Sequence, residues 1–164
     1  MCRIRPVTPD DLSALLTIKD DPTLHRDRLR QQGEGSAVYL GAFTDGGAAG
    51  FVLLSLENKA GVMPYTNNSR CADMIDLLVA EPLRGRGIGS KLARACEEAC
   101  RERGVPYLGL DVNPEDNPAA KRLYEGLGYT AVGELHLDGV YGYVNEDGTP
   151  GEYEDWCIDM IKKL

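Results

Sequence analysis

A mixed α/β domain, one mixed sheet flanked by helices, is the fold class that this chain of 164 residues predicts. Two features carry the prediction. Strand-like stretches at Ala37–Thr44 and Ala49–Leu56 flank Asp45-Gly46-Gly47, which reads as an antiparallel hairpin closed by a tight turn. Further along, strand-like segments alternate with segments whose apolar residues recur at helical spacing, which reads as strand–helix–strand units. The length suits a single domain over residues 1–164, with no internal repeat or interdomain linker.

Taken in order, Cys2 to Val7 is a short strand. Thr8-Pro9-Asp10-Asp11 opens a helix, with Thr8 as N-cap, Pro9 where a missing N–H costs nothing, and acids near the positive helix end. Leu12, Leu15, Leu16 and Lys19 continue it. Asp21-Pro22 opens a second helix to about Gln32, ended by Gly33 and Gly35. After the hairpin, residues 57–70 form a polar loop, long enough to cover a substrate and equally consistent with disorder. Asp73 to Ala80 is a strand, Ile88 to Arg103 a helix with Ile88, Leu92, Ala95, Cys96 and Ala99 on one face, and Tyr107 to Val112 a strand. Asn117 to Leu127 is a helix. Tyr129 to about Leu137 is a strand, and a glycine-rich connector leads to a last strand near Tyr153–Ile161.

Composition narrows the function. Hydrophobic residues make up 43% and charged residues 27%, as in ordinary globular chains. No apolar run approaches the roughly eighteen residues of a membrane-spanning helix, and the N-terminal stretch is too polar for a signal peptide. The expected location is therefore cytoplasmic, with no membrane partner. The net charge of −8 repels phosphate backbones and disfavours nucleic acid as a partner. Five cysteines without zinc or redox spacing and two distant histidines predict reduced thiols and no metal. From Glu134 to Asp159 there are eight acidic residues and no Lys or Arg, which is either a solvated face or a field that attracts a cation.

The most informative segment is Ile75-Asp76-Leu77-Leu78-Val79-Ala80-Glu81-Pro82-Leu83-Arg84-Gly85-Arg86-Gly87-Ile88-Gly89-Ser90. A strand runs into a turn with three alternate glycines at the start of a helix. Free N–H groups and a partial positive charge at such a helix start suit a phosphate or diphosphate, and Arg84 and Arg86 add charge. The glycines could also merely shape a tight turn. The spacing is neither G-x-x-x-x-G-K-[ST] nor G-x-G-x-x-G.

Arg84-x-x-Gly87-x-Gly89, after the strand ending Leu78-Val79-Ala80-Glu81-Pro82, resembles the [Q/R]-x-x-G-x-[G/A] signature of the GNAT superfamily of acyl-CoA-dependent N-acetyltransferases. A second stretch, Asn117-Pro118-Ala119-Ala120-Lys121-Arg122-Leu123-Tyr124-Glu125-Gly126-Leu127-Gly128-Tyr129, resembles that family's N-x-x-A-x-x-L-Y-x-x-x-G-[F/Y] helix. The resemblance is strong over about residues 70–130. It implies a twisted, mostly antiparallel sheet of about six to seven strands, splayed at the central strands by a bulge and flanked by about four helices. It implies acetyl-CoA as acyl donor. The implied donor contacts are Leu77, Leu78 and Val79 on the strand, Arg84, Gly85, Arg86, Gly87, Ile88, Gly89 and Ser90 in the loop, and Asn117, Ala120 and Tyr124 on the later helix.

Within this resemblance Tyr124 is the expected general acid, since a phenol of pKa about 10 can protonate a departing thiolate. A tyrosine on a helix also commonly packs with its hydroxyl at the surface. Leu123 and Leu127, four apart, read as core. Family members often carry a base on the strand before the loop. Asp73 and Asp76 are the candidates: they face opposite sides of a regular strand, and Asp73 shares a face with Val79. Asp73 matches the position of a catalytic Glu in several relatives, one methylene short, which favours a water relay, whereas Asp76 could pair with a basic neighbour. A mechanism with no dedicated base stays open.

The acceptor expected is a small cationic amine or a peptide amine, met by the late acidic strands with Tyr141, Tyr143, Tyr153 and Trp156, although these aromatics could simply pack the last hairpin. The alternative is a non-catalytic acyl-CoA sensor or interaction module. A tRNA-modifying relative would want a basic surface. A homodimer is compatible with the resemblance, because late strands often pair in this superfamily.

Overall fold

The computed structural model describes every residue from Met1 to Leu164. Seven strands and four α-helices follow in the order β1 (Arg3–Pro6), α1 (Leu12–Leu16), α2 (Pro22–Gly33), β2 (Ala37–Thr44), β3 (Gly47–Ser55), β4 (Cys71–Val79), α3 (Ile88–Glu102), β5 (Tyr107–Val112), α4 (Pro118–Gly126), β6 (Thr130–Val144) and β7 (Pro150–Lys163). The strands form one mostly antiparallel sheet in the order β1-β2-β3-β4-β5-β7-β6. Two compact units divide the chain: Met1–Leu108 with Lys163–Leu164, and Gly109–Lys162.

In the first unit, β2 and β3 close the expected hairpin, Ala37 opposite Ser55 and Thr44 opposite Gly47. Both strands are almost wholly buried, so their runs are continuously apolar rather than alternating. Val7, Leu15, Ala37, Tyr39, Phe51 and Leu53 form one core cluster beneath the first two helices. Helix α3 packs on β2, β3 and β4 through Ile88, Leu92, Ala93, Cys96, Ala99 and Cys100, all buried. Burying one leucine such as Leu92 contributes about 1.5–3 kcal/mol. The N-terminal helix differs from expectation. Pro9–Asp11 is a 3₁₀ turn before the short α1, and the Asp11 carboxylate accepts the Thr8 N–H at 2.8 Å and two bonds from Arg5 at 2.8 and 2.9 Å. That carboxylate is spent on the cap and on Arg5.

In the second unit, β6 and β7 are longer than the sequence predicts. The stretch read as a glycine-rich connector is mostly strand, Gly139 pairing with Asp155 and Tyr143 with Gly151. Only residues 145–149 turn, with the Asn145 N–H donating to the Thr149 carbonyl at 2.8 Å. Register shifts between Val132 and His136 and between Leu137 and Gly139 interrupt the alternation that would have marked a long strand. Leu123 and Leu127 are only half-buried; the buried residue of α4 is Tyr124.

Candidate active site

Strand β4 leaves regular geometry at Asp76. Phe51 pairs with Leu78 and Leu53 with Ile75, so Asp76 and Leu77 together oppose Val52. That two-against-one count is a β-bulge. Asp76 has a φ of 52°, a left-handed backbone that costs an ordinary side chain about 1–2 kcal/mol and is best tolerated by Gly, Asn and Asp. The bulge breaks the strict alternation of the strand, so the rule that residues three apart face opposite sides does not hold across Asp76.

Both candidate acids are ion-paired. Asp76 Oδ2 accepts from Arg28 Nη2 at 2.9 Å and from Lys19 Nζ at 3.0 Å. Burial alone would raise the Asp76 carboxyl; the bonds from Arg28 and Lys19 outweigh it and hold the group below the ordinary carboxylate range. Asp73 Oδ1 lies 3.3 Å from Lys59 Nζ, a side chain only 6% exposed, while the Asp73 side chain keeps 21% exposure. Lys59 comes from the 57–70 loop, which is packed: Val62 and Thr66 are fully buried, and the Lys59 N–H donates to the Cys71 carbonyl at 2.8 Å. Neither Lys19, Arg28 nor Lys59 had a sequence signal, because each reaches β4 from a distant segment.

After β4, a 3₁₀ turn (Glu81–Leu83) leads to Arg84, whose Nε donates to the Val79 carbonyl at 3.0 Å. Gly85 and Gly87 have φ of 77° and 82°, conformations only glycine adopts freely. Gly87 caps α3 and brings no side chain, so the N–H groups of Ile88, Gly89 and Ser90 in the first turn lack an intrahelical acceptor. The first bond of the ladder is Lys91 N–H to the Gly87 carbonyl, 3.1 Å. A Cβ added at Gly85 or Gly87 would meet no protein atom within 4 Å. Residues 84–87 are exposed, and a cavity of about 320 Å³ lies beside them, lined by Thr17 and Ile18, the end of β4 and the following turn.

In the second unit, Asn117 caps α4, its Oδ1 accepting the Ala120 N–H at 3.2 Å, and Pro118 is the first helical residue. Tyr124 is 8% exposed, its ring meeting Tyr129 edge-on at 6.0 Å, so it is not the surface tyrosine that helix position alone would allow. Asp111, Asp138 and Cys157 bring donor atoms within 4.8 Å of one another from three strands, a grouping no sequence spacing reveals. Burial, then the nearby charge of Asp111, pushes the Asp138 carboxyl up. The Cys157 thiol is pushed up to about 12 by burial, then by Asp155, so it stays protonated at neutral pH.

A bulged strand running into a two-glycine helix start, with a capped Asn-Pro helix later in the chain, is the geometry the two motifs imply. A family model for acetyltransferases of the GNAT family matches residues 7–129. The chain belongs to that family. Acetyltransferase Atu2258 of Agrobacterium fabrum is 42% identical over 59 residues, 36% of this chain and 41% of that protein. The protein YxbD of Bacillus subtilis is 31% identical over 81 residues, 49% of each. The matched stretch thus spans less than half the length of either relative. Among solved structures, the ribosomal-protein-S18-alanine N-acetyltransferase of Escherichia coli superposes with a TM-score of 0.72 at 21% identity, covering 100% of this chain and 94% of that one. A protein named yncA from Salmonella typhimurium, solved with its cofactor acetyl-CoA, gives 0.75 at 17% identity over 100% and 94%. At such identities the likeness is one of fold: a seven-stranded, mostly antiparallel GNAT sheet with four helices.

Proposed function

We propose that the protein is an N-acetyltransferase that moves an acetyl group from acetyl-CoA to a primary amine by direct attack on the thioester. The observation that carries this reading is the Arg84–Ser90 turn at the end of a bulged strand, in a chain of the GNAT family. The residues fit a diphosphate. Three backbone N–H groups have no intrahelical acceptor, two arginines stand beside them, and the space over Gly85 and Gly87 is open to a ligand. Main-chain groups of Leu77, Leu78 and Val79, beside the bulge, would hold the pantetheine and the acetyl carbonyl.

The amine nitrogen must be neutral to attack, and the departing sulfur gains from a proton. In this reading Asp73 takes the proton of the ammonium through a water molecule, the Lys59 ammonium holding the carboxylate in place. The neutral amine attacks the thioester carbon, Tyr124 donates its phenolic proton to the sulfur as the carbon–sulfur bond breaks, and the second proton shed by the nitrogen restores the phenol. Asn117 and Ala120 shape the helix that carries Tyr124. The acceptor is a cationic primary amine, small or at a peptide terminus. The acidic run from Glu134 to Asp159 supports this, as do the Tyr141 and Tyr153 rings, half-exposed and 5.4 Å apart, and the elevated Asp138 carboxyl, which a nearby cation would relieve.

A panel of amines incubated with acetyl-CoA, followed by free-thiol release and with CoA binding measured by calorimetry, tests the reading. Turnover with cationic primary amines ahead of neutral and anionic ones is the expected result. Tight CoA binding without turnover of any amine would leave a binding function only.

A further inference from the structure

Asp76 is the one residue of a strand in this chain that combines a side chain with a left-handed backbone. Glycine would hold that conformation without strain, yet the position carries a carboxylate with two cations on the same oxygen. Arg28, one of them, is 5% exposed and lies over the rings of Tyr39 at 5.6 Å and Phe51 at 5.7 Å. Tyr39 meets His25 Nδ1 at 2.7 Å, and His25 Nε2 meets the Lys19 carbonyl at 2.8 Å. A carbonyl only accepts, so Nε2 carries the proton, and in the neutral ring Nδ1 accepts the Tyr39 hydroxyl. Lys19, whose own ammonium bonds Asp76, closes the circuit. The corner between α1 and α2, the middle of β2 and the bulge of β4 are thus tied by one ring of polar and cation–π contacts.

The ring is partly buried, the Lys19 and Asp76 side chains keeping 38% and 27% exposure, and both of its ion pairs to β4 run through the Asp76 carboxylate. We propose that Asp76 is a positioning residue for donor binding: gripped by Lys19 and Arg28, it holds the bulge so that the main chain of residues 77–79 is presented to acetyl-CoA. A general base needs a carboxylate ready to accept a proton, and two cations on one oxygen make Asp76 the poorer of the two acids for that task. The inference rests on the donor site proposed above.

The test compares wild type with D76N, D76G and D76A, and with K19M, which leaves β4 untouched. CoA affinity is read by calorimetry, kcat and KM for acetyl-CoA with their pH profiles, and folding by urea titration. D76A, lacking both the grip and a tolerance for positive φ, is expected to bind CoA about tenfold more weakly. D76N and D76G suffer less, because Asn and Gly accept the backbone, and K19M loses about threefold, one of two charge-assisted bonds being gone. In every variant KM rises more than kcat falls, and the acid limb of the pH profile persists. Should D76A fail to fold, D76N and K19M still decide. Unchanged CoA affinity in D76N and K19M overturns the inference, as does a loss confined to kcat with disappearance of the acid limb. Wild-type protein that binds no CoA overturns the donor site itself, a result separate from any variant.

Discussion

Replacing Gly87 with alanine probes the diphosphate site directly. Gly87 sits at φ 82°, ψ 7° immediately before α3. A side chain in that left-handed region costs about 1–2 kcal/mol, while removing a glycine restricts the unfolded chain and returns about 0.4–1 kcal/mol, so the net loss of stability is about 1 kcal/mol. For a chain of this length that lowers Tm by about 2–4 °C. The new methyl meets no protein atom within 4 Å, so steric conflict inside the protein adds nothing. Any larger effect must come from the ligand. Phosphate oxygens accepting from the Ile88 and Gly89 N–H groups would lie about 3 Å from those nitrogens, where the Cβ intrudes. The expected outcome is a rise of tenfold or more in KM for acetyl-CoA, about 1.4 kcal/mol, measured by thiol release. S-acetylpantetheine, which lacks the diphosphate, should be used equally well by both proteins once stability is matched. A variant with the predicted Tm loss but an unchanged KM for acetyl-CoA would refute a diphosphate at this turn.

Tyr124→Phe should lower kcat by about 10- to 100-fold while CoA still binds, a modest loss for a general acid because a thiolate leaves readily; unaltered turnover would remove Tyr124 from the chemistry. Asp73→Asn should lower kcat by about tenfold or more with KM for acetyl-CoA little changed, and stopped-flow thiol release separates the two constants. At low pH the Arg5–Asp11 pair sets part of the stability. The hydrogen bond from Arg5 outweighs burial and holds Asp11 at about 2 against 3.8 unfolded, so its contribution is full above about pH 4 and is lost as pH falls toward 2. The nominal linkage of about 2.4 kcal/mol shrinks to about 1 kcal/mol because Arg5 is 38% exposed. Urea titrations from pH 5 to pH 2 should show Asp11→Asn losing the stability of the pair at pH 5 but not at pH 2; a constant gap across that range would contradict the assignment.

Local rules carried far in this chain. Asn117-Pro118 caps α4 as helix grammar requires, Gly85 and Gly87 take the left-handed backbone that their turn demands, and β2 keeps its predicted bounds, because each depends on residues within a few positions. Where the reading fell short, the deciding partners were remote. The long β6–β7 hairpin escaped notice because its register shifts break the period-two pattern, and Tyr124 rather than Leu123 or Leu127 is buried because α4 packs by its tertiary surroundings.

The acids of β4 draw the line most clearly. The turn after β4 was legible in strand, glycine and helix-start signals written in neighbouring residues, and the family resemblance pointed from it to Asp73 and Asp76 on the strand before. That Asp76 sits in a strand bulge and pairs with Lys19 and Arg28, 57 and 48 positions away, and that Asp73 meets a buried Lys59, came only with the fold. Charge pairing depends on distance in space, and no periodicity along the chain encodes which side chains folding brings within 4 Å.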